Sequence, residues 1–111
     1  MNKFAFTGFL FFSICVSASA ADLDVVLAAP VVWANSDASN TSIRITTPNQ
    51  VVPNNWGCTD IDSYMVKSSL PQAVQNRIFS ILTLAKATNV PVTIRVDGCE
   101  AGRPAIVGAR L

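Results

Sequence analysis

The sequence predicts a small α+β, mostly β domain, with five strands and one helix in the order β-β-β-α-β-β, arranged as an OB-like barrel. Three observations favour this fold. Short segments that alternate apolar and polar residues occur in both halves of the chain. One amphipathic helix stands between the third and the fourth segment. Two cysteines are available to join distant parts of the domain. A helix packed on an open sheet is the main alternative.

Five segments carry the strand pattern. Residues 25–34 are rich in Val and Leu but are broken by Pro30, which predicts one strand with a bend at a sheet edge. Residues 42–46 alternate and form a predicted hairpin with the first strand. The remaining predicted strands are 61–67, 92–97 and 105–111, with a turn at Gly98 between the last two.

The helix is predicted over residues 72–87, where apolar side chains recur with helical spacing. Ser69 begins a capping-box pattern, and Asn89 is a candidate left-handed cap at the end. Phe79 and Leu84 flank the apolar stripe and widen its arc to about 220° at 100° per residue. Either loops cover these flanks, or Phe79 and Leu84 belong to an oligomer interface.

Residues 1–20 have the pattern of a secretory signal peptide. Lys3 supplies a positive charge, residues 4–16 are almost entirely apolar, and residues 18–20 form a small-x-small cleavage pattern. The apolar run is shorter than the roughly 20 residues of a membrane-spanning helix. We therefore predict a secreted or periplasmic protein with a single OB-like domain over residues 21–111.

Removal of this leader changes the charge balance. The full chain has eight Lys and Arg against seven Asp and Glu, and Lys3 lies in the leader, so the remainder is neutral. Its charges are dispersed along the sequence. A neutral chain without a basic cluster does not suggest a nucleic-acid partner. It also has no basic amphipathic helix for a membrane surface, so no membrane insertion is expected.

The cysteine count predicts one disulfide. Cys15 lies in the leader, which leaves Cys58 and Cys99 to pair in an oxidising compartment. The chain-entropy model gives a stabilisation of roughly 4 kcal/mol for a loop of this length. For a domain of this size, such a bond can decide whether the chain folds.

The residue types present argue against catalysis. The chain has no histidine, which removes the commonest general base and the usual zinc ligands. No serine stands in a Gly-x-Ser-x-Gly pattern, and no glycine pattern suits a phosphate loop. Asp60 and Asp62 are interpreted as a solvated strand edge. We expect no enzyme activity, no catalytic residue, no metal and no cofactor.

Two tryptophans are candidate ligand-binding residues. Trp33 precedes a polar turn that contains Asn35 and Asp37, and Trp56 lies in an Asn-rich loop beside Cys58. Aromatic faces next to such polar side chains are typical of sugar-binding surfaces, because the rings stack on sugars while the polar groups bond hydroxyls. The alternative is that each tryptophan caps a small barrel.

The C-terminal half carries a family resemblance. Helix 72–87, the segment 89–96 with its Val-Thr-Ile strand, Cys99, and the Ile-Val-Gly of 106–108 resemble the cell-binding B subunits of the subtilase-cytotoxin and typhoid-toxin type, and small exported bacterial proteins similar to them. The resemblance implies an OB-fold, a pentameric ring, sialylated host glycans as ligands and a toxin A subunit as partner. This chain departs from the family in having one disulfide and Asn89 where a glycine stands.

These observations predict a secreted or periplasmic, non-catalytic binding module, with a ring-forming, glycan-binding B subunit of an AB5-type toxin as the specific hypothesis. The alternative is a periplasmic accessory or inhibitor protein that binds another protein.

Overall fold

The computed structural model describes residues 22–34 and 43–111, so the predicted leader lies outside the described residues. The elements are one helix, α1 (Gln72–Thr88), and six strands: β1 (Leu23–Leu27), β2 (Val31–Ala34), β3 (Ile43–Thr46), β4 (Tyr64–Val66), β5 (Val92–Glu100) and β6 (Arg103–Arg110). The strands form one sheet in the order β1-β5-β6-β4-β3-β2. All neighbours are antiparallel except β4 and β6, which are parallel. The sheet is curled into a half-barrel.

The strand count differs from the prediction because segment 25–34 is two strands. β1 pairs with β5 and β2 pairs with β3, so the two lie at opposite edges of the sheet although three residues separate them. Pro30, buried between them, has no N–H to offer a neighbouring strand. The short link requires the sheet to curl until its two edges meet.

The side chain of Gln50 completes this junction. Its Nε2 donates to the carbonyl of Val26 at 3.0 Å, and its Oε1 accepts from the N–H of Ala28 at 3.0 Å. The amide thus bonds the free side of β1 as a backbone peptide would. It thereby satisfies backbone groups beside the break and joins the β3–β4 connection to β1.

The concave side of the sheet holds the core. Val92, Ile94 and Val96 are fully buried, whereas Arg95 between them is exposed, as the alternation in β5 predicts. α1 packs on this side. The core cluster consists of Leu27, Ile45, Val52, Tyr64, Val66, Ile78, Leu82, Ala85, Val92, Ile94, Val96 and Ile106.

The helix is confirmed, and so is its left-handed cap at Asn89, where φ is 58°. The N–H groups of Asn89 and Val90 return to carbonyls of the last turn at 3.3 and 3.0 Å. The predicted capping box is wrong. Pro71 occupies the N-cap without a side-chain bond, and Gln75 Nε2 instead donates to the carbonyls of Ser68 and Leu70.

The predicted turn at Gly98 is also wrong. β5 continues to Glu100, and the chain reverses at Ala101 and Gly102, where φ is 52° and 79°. Two positive φ values in a two-residue loop are typical of the type I′ hairpin turn. Gly98, with φ at 77°, lies instead in an irregularity where the β5–β6 register shifts. β6 therefore begins two residues earlier than the predicted strand 105–111.

The Cys58–Cys99 disulfide is confirmed, with the two Cα atoms 5.8 Å apart. It joins the long β3–β4 connection to β5. Asn54 shapes the chain before the bridge, since its side chain donates to the Cys58 carbonyl at 2.8 Å and accepts from the Cys58 N–H at 2.7 Å. β4 is shorter than the predicted strand 61–67, because Ile61 is exposed and only Tyr64–Val66 pair with neighbours.

Candidate functional site

Trp33 lies on the outer face of the sheet, opposite the core. The preceding residue, Val32, packs against the core, and side chains alternate along a strand, so the indole points outward. Trp33 is 57% exposed. Its Nε1 donates to Thr46 Oγ1 on β3 at 3.2 Å. The ring is therefore a fixed apolar surface open to solvent.

Arg44 lies directly opposite Trp33 in the β2–β3 pairing and belongs to a network of polar side chains. Its Nη2 donates to Asp62 Oδ2 at 3.0 Å, and its Nε donates to Ser63 Oγ at 2.9 Å. Arg103, from the start of β6, donates through Nε to Asp62 Oδ1 at 2.8 Å. We call this group the Trp33 face; its members are Trp33, Arg44, Thr46, Asp62, Ser63 and Arg103.

Asp62 is the electrostatic centre of the Trp33 face. The hydrogen bond from Arg103 is the main reason that the pKa of Asp62 falls to about 2, and Ser63 and the charge of Arg44 act in the same direction. The hydrogen bond to Asp62 also raises the pKa of Arg103. A carboxylate with so low a pKa is a poor general base at neutral pH. Two guanidinium groups share this one carboxylate, and the charge of Asp60 also acts on Arg103, so Arg44, Arg103, Asp60 and Asp62 together carry no net charge.

The arrangement is suited to holding a polar ligand rather than to transforming one. The side chains of Asp62 and Arg44 are 55% and 39% exposed, so both can offer further hydrogen bonds to a bound molecule. Their geometry is already set by the network. The adjacent indole supplies the apolar contact.

The other predicted ligand residues do not extend this surface. Trp56 packs against the core cluster, and its carbonyl oxygen lies 3.9 Å from Cys99 Sγ. Its Nε1 is buried and has no hydrogen-bond partner among the residues that the structure describes. Trp56 therefore contributes to the packing beside the disulfide. Asn35 and Asp37 lie outside the described residues.

Sequence reasoning missed Arg44, Asp62 and Arg103 as partners of Trp33. A signal existed for Arg44, because the predicted hairpin places it outward on the strand beside Trp33. The sequence pattern predicts only a solvated strand edge for Asp62. Arg103 is 41 residues from Asp62 in the sequence, so no local sequence pattern predicts that the two side chains are in contact.

The two predicted interface residues lie on different sides of α1. Phe79 borders a groove of about 330 Å³ between α1 and β2, which is lined by Val31, Val32, Phe79, Thr83, Lys86 and Ala87. Leu84 is 51% exposed and lies about 140° around the helix from Phe79 at 100° per residue. Phe79 and Leu84 thus do not form one continuous surface.

A second ionic cluster ties β1 to the sheet. Asp24 accepts from Arg95 Nε at 3.2 Å and from Arg110 Nη1 at 3.1 Å. These bonds, chiefly the one from Arg95, lower the pKa of Asp24. Each arginine is bonded to this carboxylate. The cluster lies on the β1–β5–β6 side of the outer face, away from the Trp33 face.

Within residues 22–34 and 43–111, no group of three or more His, Cys, Asp and Glu side chains is placed to hold a metal ion. Among the same residues, no helix has the length and apolar character needed to cross a membrane. No protein-family model, curated protein or solved structure matches the chain significantly.

Proposed function

We propose that this protein is an exported, non-catalytic binding module and that the Trp33 face binds glycans. One observation carries the proposal: an exposed indole, held by a hydrogen bond, lies beside an ordered Arg–Asp–Arg network on the outer face of the sheet. A sugar presents CH-rich faces to an aromatic ring and hydroxyls to charged hydrogen-bonding groups. The guanidinium groups of Arg44 and Arg103 are donors of the kind that pair with a sugar carboxylate, as the sialylated glycans that the resemblance implies would require.

We also propose that the half-barrel is a variant of the OB-fold. If β1 and β2 are counted as two halves of one strand, five strands remain, and the helix follows the third. The parallel pair then joins the third and the fifth strand. OB-folds bind oligosaccharides on their second and third strands and the adjoining loops. Arg44 lies on β3, the second strand in this numbering, and Asp62 lies two residues before β4, the third strand.

The glycan proposal is tested on a glycan array with the wild type and the Trp33→Ala variant. Loss of the stacking surface should weaken binding about tenfold, equivalent to roughly 1.4 kcal/mol. Leu111→Ala is the matched control, because Leu111 is similarly exposed but follows the end of β6, away from Arg103 and the Trp33 face. A wild type that binds no glycan, or a Trp33→Ala variant that binds as well as the wild type, would contradict the proposal.

The pentameric ring and the toxin A subunit remain part of the proposal through the resemblance alone. Light scattering of the purified protein should give five times the mass of one chain, and a monomer would contradict the ring. Mass spectrometry of the exported protein should show cleavage after Ala20. An intact N-terminus would contradict the leader at residues 1–20.

A further inference from the structure

Two short segments of the chain, residues 58–62 and 99–103, are linked at both of their ends. The disulfide joins the first residue of one segment to the first residue of the other. Their last residues are joined by the hydrogen bond from Arg103 Nε to Asp62 Oδ1 at 2.8 Å. The bridge and the centre of the Trp33 face therefore belong to one connected unit.

The noncovalent part of this unit is a weak constraint on Asp62. A backbone hydrogen bond of 2.8 Å runs from the N–H of Asp60 to the carbonyl of Gly102. The side chains of Arg103 and Asp62 are 23% and 55% exposed, and an exposed ion pair adds little net stability because water screens it. Residues 59–63 are irregular, and β4 fixes only their C-terminal end. The covalent bond is therefore the strongest constraint on the other end.

The position of Asp62 in turn sets the arrangement of the Trp33 face. Asp62 accepts hydrogen bonds from Arg44 and Arg103. Arg44 lies opposite Trp33 in the β2–β3 pairing. A displacement of Asp62 consequently frees the guanidinium group that lies beside the indole.

The bridge is open to chemical attack from one side. Cys99 is exposed, whereas Cys58 is only 7% exposed. A thiolate of an external dithiol attacks Cys99 Sγ, and Cys58 leaves as a thiolate that then takes up a proton. The second thiol of the reagent displaces Cys99 in the same way. The dithiol is thereby oxidised to a disulfide, and the protein is reduced to two thiols.

We propose that the Cys58–Cys99 bond is a redox-dependent positioning element for the Trp33 face. The intact bond holds Asp62 between Arg44 and Arg103, and reduction by a dithiol releases it. The oxidised protein therefore binds its ligand more tightly than the reduced protein. The effect on ligand binding rests on the glycan proposal, whereas the effect on the position of Asp62 does not.

The first measurement follows the Asp62 carboxyl group by NMR without any ligand. Its pKa is about 2 in the oxidised protein. After reduction with dithiothreitol, and in the double variant Cys58→Ala, Cys99→Ala, this pKa should rise toward the usual 3.8 because the bond from Arg103 is loosened. Amide spectra of both proteins show whether they remain folded.

A second variant separates positioning from loss of stability. Two glycines inserted between Asp60 and Ile61, which are both exposed, leave the bridge intact but lengthen the path to Asp62. This variant should also raise the pKa of Asp62, and it answers the question if the reduced chain unfolds. Ile78→Val weakens the buried core with the bridge intact and is the control. It should leave the pKa of Asp62 at about 2.

The last measurement compares the oxidised protein, the reduced protein and the insertion variant on the glycan array. Reduction and insertion should each weaken binding about fivefold, whereas Ile78→Val should bind as the wild type does. An unchanged pKa of Asp62 in the insertion variant would overturn the proposal, and so would unchanged glycan binding after that pKa has risen. A wild type that binds no glycan contradicts the glycan proposal alone, because the pKa measurement needs no ligand.

Discussion

Asp62 shows how one side chain organises a surface. It accepts hydrogen bonds from Arg103, Arg44 and Ser63, which come from three separate parts of the chain. Removal of its charge would leave two neighbouring guanidinium groups without their shared partner. The position of Arg44 beside Trp33 therefore depends on a residue that need not touch the ligand itself.

We expect Asp62→Asn to destabilise the protein at pH 7 by up to about 1 kcal/mol, since the group is half exposed. The folded-state pKa of Asp62 is about 2, below the usual 3.8. Its contribution is therefore present above pH 4 and is lost as the pH falls toward 2. Urea unfolding should show a smaller difference in the free energy of unfolding between variant and wild type at pH 2 than at pH 7. A difference that stays constant would contradict the role of this charge.

Tyr64 should make the protein sensitive to alkali. The side chain is fully buried, and burial raises its pKa to about 12. The unfolded chain loses this proton near pH 10 while the folded chain keeps it, so stability is retained below pH 10 and falls above it. The loss should reach about 2 kcal/mol by pH 12. The Tyr64→Phe variant should lack this component when both proteins are unfolded in urea at pH 8 and pH 11.

Tyr64 is the chain's single tyrosine, so its titration can be followed directly by ultraviolet absorbance. We expect the folded protein to form tyrosinate well above pH 10, and the unfolded protein to form it near pH 10. A midpoint near pH 10 in the folded protein would show that the ring is accessible to solvent.

At the scale of elements, the end of α1 and the β5–β6 turn both depend on left-handed backbone. Asn89 ends α1 with φ at 58°, and Ala101 holds φ at 52° in the β5–β6 turn. Asparagine tolerates this conformation, whereas alanine adopts it at a cost of roughly 1–2 kcal/mol. Asn89 therefore suits the left-handed conformation at the end of α1, whereas Ala101 is strained in the hairpin turn.

Ala101→Asn should therefore stabilise the protein by about 0.5–1 kcal/mol, since it creates the Asn-Gly pair that type I′ turns prefer. Gly102→Ala should destabilise the protein, because the added Cβ would lie 2.7 Å from Thr59 Oγ1 and because φ at this position is 79°. Thermal and urea unfolding of both variants measure the two effects. A destabilised Ala101→Asn protein would contradict the turn geometry.

The helix end provides a matched pair of substitutions. Asn89→Ala should lower the free energy of unfolding by about 1 kcal/mol, and Asn89→Gly should be close to neutral, since glycine needs no Cβ accommodation. Equilibrium unfolding in urea separates the two. Equal losses in both variants would mean that the asparagine side chain, rather than the backbone conformation, is what matters at this cap.

For the whole molecule, the disulfide joins the longest described connection to the central part of the sheet. Cys58 and Cys99 are 41 residues apart, which corresponds to roughly 4 kcal/mol in the chain-entropy model. Val52 and Trp56 in the enclosed connection pack against the core. Loss of the bridge should therefore affect core packing as well as the unfolded chain.

We expect the double variant Cys58→Ala, Cys99→Ala to lose up to about 4 kcal/mol of stability. Reduction of the wild type should have the same effect and should shift the fluorescence of Trp56 to longer wavelength as its environment becomes wetter. The Trp33→Phe background isolates this signal. A reduced protein with unchanged stability and fluorescence would contradict a structural role for the bridge.

Local sequence patterns determined much of this architecture. The stripe in 72–87 and the alternation in 92–97 predict α1 and the buried side of β5, because each element must bury an apolar face. The cysteine count predicts the Cys58–Cys99 bond. Only the tertiary structure decided that 25–34 divides between two sheet edges and that Arg103 meets Asp62 beside Trp33. Periodicity reports which side of an element is buried, whereas strand partners and surface clusters depend on how distant elements are brought together.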